Sequence, residues 1–99
     1  MSEYVPDTWV VLELKSEHTE PIRKVFAGWY GGYTGSDEWR LNSGITETID
    51  HGKYYEFRGH SGSVYLCNKK AQGMSHYQAS VLEGFKRNLG ASIEVIELA

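Results

Sequence analysis

The residues nearest to a reactive motif are Gly59-His60-Ser61-Gly62-Ser63. A serine in this setting suggests the nucleophile elbow G-x-S-x-G, where a sharp strand-to-helix turn lifts the hydroxyl above a large α/β sheet. Ser63 stands where the last glycine is required. A strand pattern rather than a helix follows, in a chain of only 99 residues. His60 beside Ser61 makes no dyad, because adjacent strand residues point to opposite faces. A hairpin turn accounts for all five residues.

The segment Gly28-Trp29-Tyr30-Gly31-Gly32-Tyr33-Thr34-Gly35 holds four glycines. No window in it reads G-x-G-x-x-G or G-x-x-x-x-G-K, and no helix follows to offer its N-terminus to a phosphate. It reads as a loop able to cover a ligand or meet a partner. His18, His51, His60, His76 and Cys67 are the soft metal ligands, scattered without the close spacing of zinc sites. Cys67 has no activating neighbour in sequence and suits a buried position. Glu47, Asp50 and Glu56 surround one hairpin, but paired-carboxylate chemistry needs a defined separation in a cleft. No catalytic, cofactor-binding or metal-ligating residue is assigned, and no cofactor is expected.

One cluster points elsewhere. Trp29, Tyr30, Tyr33 and Trp39 fall within eleven residues around the glycine-rich loop. Some of these rings must serve the core of a small sheet. Any that stay exposed make a patch suited to a protein partner or to a second copy of the chain, since aromatic side chains anchor interfaces. Arg40 and Arg58 are candidate polar anchors beside them. Aromatic strands also stack single-stranded bases. Here Arg23, Lys24, Arg40, Lys53 and Arg58 are diluted by acids, and 10 basic against 13 acidic residues leave a net charge of −3. Phosphate binding wants the opposite balance.

Composition sets the remaining bounds. Apolar residues at 40% and charged residues at 23% are globular values. A chain of this length forms one domain, 1–99, that folds without staples. The single cysteine excludes an internal disulfide and fits a reducing compartment. No basic-then-apolar leader pattern opens the chain, and no run reaches the roughly 18 apolar residues of a membrane span. The expectation is a soluble, cytoplasmic protein with no membrane association.

The elements that would position these residues follow from periodicity. Trp9 to Leu14 alternates with apolar residues on both faces, as a strand covered twice would. Ile22 to Tyr30 is its hairpin partner. Trp39 to Ile49 is a strand interrupted at Asn42-Ser43-Gly44 by a bulge or sharp bend. Tyr54 to Arg58 and Ser63 to Asn68 complete a meander through tight turns. Met74, Tyr77, Val81, Leu82, Phe85 and Leu89 recur at helical spacing. Ser75 and Gln78 form a capping box, with Met74 and Ala79 as the staple, and Gly90 stands at the helix C′ position. Ser92 to Leu98 is a final strand. The class is α+β: a single domain with a five- or six-stranded, mostly antiparallel sheet (a β-meander), one amphipathic helix packed on a face and a C-terminal strand.

Three segments also carry a resemblance: Gly28-Trp29-Tyr30-Gly31-Gly32-Tyr33, Trp39-Arg40-Leu41-Asn42-Ser43-Gly44-Ile45 and Tyr55-Glu56-Phe57-Arg58-Gly59-His60-Ser61-Gly62-Ser63-Val64-Tyr65-Leu66-Cys67. Together they resemble small uncharacterised proteins of tailed bacteriophages and some bacteria, over residues 8–70. The resemblance implies no activity. It implies a compact accessory protein made to bind and alter a host or defence component. The leading expectation is therefore a non-catalytic protein that binds an unidentified protein partner. The alternatives are a small-ligand-binding domain or small enzyme with a pocket between sheet and helix, and a self-assembling structural subunit.

Overall fold

The computed structural model describes residues 2–31, 36–88 and 92–98. Eight strands and one α-helix follow in order: β1 (Glu3–Tyr4), β2 (Thr8–Ser16), β3 (Thr19–Trp29), β4 (Glu38–Leu41), β5 (Ile45–Asp50), β6 (Tyr54–Gly59), β7 (Val64–Asn68), α1 (His76–Asn88) and β8 (Ser92–Ile96). The fold is α+β, with its strands divided between two mostly antiparallel four-stranded sheets. One sheet has the order β1-β7-β6-β5 and the other β4-β3-β2-β8.

Strand β2 is apolar on both faces because both faces are covered. Trp9 and Val11 point into a core shared with Val25, Ala27, Tyr55, Phe57, Tyr65 and Cys67, which lies between the sheets. Val10 and Leu12 point the other way, toward Phe26, Ile93 and the helix residue Leu82. The β4-β3-β2-β8 sheet is thus the middle of three layers, with the second sheet on one side and α1 on the other. Leu14, Leu41, Met74, Val81 and Phe85 complete the apolar packing between helix and sheet.

The break at Asn42-Ser43-Gly44 is larger than a bend within one strand. It carries the chain from one sheet to the other, since β4 pairs with β3 and β5 with β6. Asn42 fixes the corner by binding the Val25 backbone twice: its Oδ1 accepts from Val25 N at 2.8 Å and its own N donates to Val25 O at 3.0 Å. Gly44 then takes φ +136°, which side chains rarely adopt. Such corners allow two stacked sheets to be built from one continuous chain.

Two further boundaries differ from the expectation. Strand β3 starts at Thr19 rather than Ile22, so Pro21 lies inside it. Proline is tolerated there because β4 pairs with β3 only along Phe26–Trp29, and the register with β2 shifts between Leu14 and Ser16. The polar start contains β1, which pairs in parallel with β7. The last strand pairs antiparallel with β2, and the meander β5-β6-β7 is as the sequence indicates.

Helix α1 opens with the expected capping box. Ser75 Oγ accepts from Gln78 N at 3.1 Å, and Gln78 Oε1 accepts from Ser75 N at 3.2 Å. The same Gln78 is fully buried and reaches across to the middle sheet. Its Oε1 accepts from the Thr8 hydroxyl, and its Nε2 donates to Phe26 O at 3.3 Å. Tyr77, placed on the apolar stripe by its spacing, is instead exposed. Leu89 and Gly90 lie outside the described residues. No helix among the described residues is long and apolar enough to cross a membrane.

Candidate protein-binding surface

Trp29 ends β3, opposite Glu38 on β4. Two positions along, Ala27 of the inter-sheet core faces Arg40, so Arg40 is directed to the side where the two sheets meet. Strand β1 supplies the opposing wall. Tyr4 stacks on Tyr65 at 4.9 Å, meets Trp29 edge-on at 6.2 Å and takes the Arg40 guanidinium over its ring at 4.6 Å. The Trp29 indole donates to Val5 O at 3.0 Å, tying the end of β3 to the residue after β1. Glu3, Tyr4, Val5, Trp29, Glu38 and Arg40 line a groove of about 350 Å³.

The groove opens beside the glycine-rich segment. Asp7 Oδ2 accepts from Tyr30 N at 2.9 Å, and Asp37 Oδ1 accepts from Gly31 N at 3.0 Å. These two carboxylates hold the described end of that segment. Tyr30 is then left 59% exposed and Val5 64% exposed. Large apolar side chains this open, next to a half-buried aromatic cluster, form the kind of patch that marks an interaction site.

Of the residues singled out in sequence, the structure brings Trp29 and Arg40 together around Tyr4, with Tyr30 next to Trp29 in the chain. Trp39 follows the pleat to the opposite face, where it packs on Phe26 at 5.9 Å and on the helix residue Phe85 at 5.1 Å. Arg58 lies on the other sheet, its Nε donating to Glu56 Oε2 at 2.7 Å and standing 3.8 Å from Glu47. Tyr33 lies outside the described residues. The sequence reading missed Tyr4 and Val5 because a two-residue strand has no periodicity to detect. The faint signal was Pro6, which biases the residue before it toward extended backbone.

The reactive residue types sit in quieter surroundings. Cys67 is buried between the sheets, and burial pushes its thiol up to about 12, which keeps it protonated and inert. Burial likewise lifts the Tyr65 phenol to about 12. Gly59-His60-Ser61-Gly62-Ser63 is the β6–β7 turn, closed by Gly62 N donating to Gly59 O at 3.0 Å. Ser61 Oγ lies 3.3 Å from the hydroxyls of both Ser43 and Ser63. Among the described residues no three His, Cys, Asp or Glu side chains gather as a metal-binding group.

Glu56 gives a pH-dependent contribution to the fold. The His51 hydrogen bond at 2.9 Å, then that of Arg58, holds its carboxyl below the ordinary 4.5. A carboxyl depressed in the folded state stabilises the fold above its unfolded value and loses that contribution as pH falls through the lowered one. Glu56→Gln is therefore expected to reduce stability near neutral pH and to flatten its decline in acid below 4.5. Urea midpoints for both proteins across that range check this.

Comparison of the chain with family models, with curated proteins and with solved structures found no match.

Proposed function

We propose that this chain is a non-catalytic accessory protein that acts by binding another protein through the surface around Tyr4, Val5, Trp29, Tyr30 and Arg40. The observation that carries this reading is the exposure of Val5 and Tyr30, the residues that follow Tyr4 and Trp29 in the chain, where those two rings meet edge-on. Rigid aromatic side chains held by neighbours lose little freedom on binding, which is why such positions dominate interface energies. Here Tyr65 stacks on Tyr4, and the Val5 carbonyl holds the Trp29 indole. The resemblance to small phage proteins adds the context of a cytoplasmic factor that alters a host or defence component. A pocket between sheet and helix is less favoured, because Leu82, Phe26 and Phe85 fill that layer.

The test is affinity capture from bacterial lysate with the tagged chain, beside a Val5→Ser/Tyr30→Ser variant. Both positions are exposed, so the variant keeps the fold. A partner retained by the parent chain and depleted roughly tenfold or more by the variant is the expected result. Equal retention by both would remove the surface from the account.

A second reading rests on β8. It forms an outer edge of the middle sheet, pairs only with β2 among the described residues and leaves Val95 exposed. An unpaired edge of this kind can extend a sheet into a second copy. A monomeric mass that does not change with concentration would eliminate self-assembly.

A further inference from the structure

The charge around the groove narrows the class of partner. Glu3 and Glu38 both line it, and neither has an ion-pair partner among the described residues. Asp7 and Asp37 are engaged by the Tyr30 and Gly31 amides, and Asp7 faces a neighbouring pocket that Lys70 also lines. Two carboxylates against the single Arg40 guanidinium leave the groove's lining net negative. The aromatic wall is suited to a cation as well, since Arg40 already lies 4.6 Å over the Tyr4 ring. Guanidinium groups favour such sites because they stack on rings while pairing with carboxylates.

We propose that the groove takes a basic segment of the protein partner, with an arginine side chain lying on Trp29 and its guanidinium paired with Glu3 and Glu38. This rests on the reading of the surface as protein-binding and adds the chemistry of what it binds. Like charges meeting Glu3 and Glu38 would be repelled, so the same arrangement selects against acidic segments.

The probe is a capped, glycine-spaced peptide carrying two arginines, titrated into the ¹⁵N-labelled full chain at low salt. The control is the same peptide with glutamates in place of the arginines. The three indole N–H signals, Trp9, Trp29 and Trp39, report separate places: the inter-sheet core, the groove and the helix face. The expected result is a saturable shift of the Trp29 signal with the arginine peptide alone. Glu3→Gln/Glu38→Gln should weaken it roughly tenfold while Trp9 stays unmoved, and added salt should weaken it further. Overturning results are no Trp29 shift, an equal response to both peptides, or an undiminished response in the double variant. In the lysate capture, a partner depleted by Val5→Ser/Tyr30→Ser but fully retained by Glu3→Gln/Glu38→Gln would refute the basic segment and leave the surface standing. Retention by both variants would refute the surface itself.

Discussion

Trp9→Ala is expected to destabilise the fold by about 3–5 kcal/mol, the range for truncating a large buried aromatic. Trp9 is fully buried between the sheets, against Tyr55 at 6.0 Å and Phe57 at 5.6 Å. Its indole donates to Asn68 O at 2.7 Å, so truncation also strips a partner from the end of β7. The Trp9 carbonyl accepts from Gly73 N at 2.7 Å, holding the segment that leads into α1. Domains of this size have about 5–15 kcal/mol in all, so the variant should sit near its unfolding threshold. Trp39→Ala removes a ring that is 39% exposed and should cost clearly less. Urea titration of both variants checks the order. A Trp9 cost at or below that of Trp39 would contradict the three-layer packing.

The second large effect centres on Gln78. Gln78→Ala is expected to cost about 2–4 kcal/mol, since several buried or half-buried groups lose their partner together. Those groups are the Thr8 hydroxyl, the Phe26 carbonyl and the Ser75 amide. Gly28 is the matching half of this contact, because a Cβ there would meet Gln78 Cδ at 2.4 Å. The amide cannot retreat while hydrogen-bonded at both ends. Gly28→Ala alone should therefore destabilise by about 1–3 kcal/mol, as overpacking does. In the Gln78→Ala background the same methyl has room, and most of that cost should vanish. A double-mutant cycle by urea unfolding measures the coupling. Additive costs would show that Gly28 is not shaped by Gln78.

These two residues also mark what was legible in the chain. The alternation of Trp9 to Leu14 on both faces reported a strand covered twice, because burial on each side leaves an apolar trace at period two. Spacing placed the helix for the same reason. Gln78 announced its capping role, but its buried role was hidden, since a polar residue interrupts the apolar stripe at the point where it matters most. Tyr77 took that place in the pattern and is exposed in the fold. By sequence, Asn42 only interrupts one strand. That it switches sheets depends on its pairing with Val25, a contact across 17 positions that no local pattern contains.

The candidate surface was half legible. Trp29, Tyr30 and Arg40 stand out by residue type, and the structure gathers Trp29 and Arg40 on Tyr4 and leaves Tyr30 exposed. Trp39 and Arg58 stood out equally. The pleat turns Trp39 to the helix side, and the sheet switch carries Arg58 to the other layer. The wall formed by Tyr4 and Val5 arises from a two-residue parallel pairing with β7, which only the assembled sheet reveals.

The central claim is that a protein partner sits on this surface, and site-directed photo-crosslinking tests it most directly. A photoreactive phenylalanine derivative would replace Tyr30 in one protein and Tyr77, an exposed tyrosine on the helix, in another. After irradiation in bacterial lysate, the account expects one discrete adduct from position 30 and none of that mass from position 77. An adduct from the helix position with none at position 30 would contradict it.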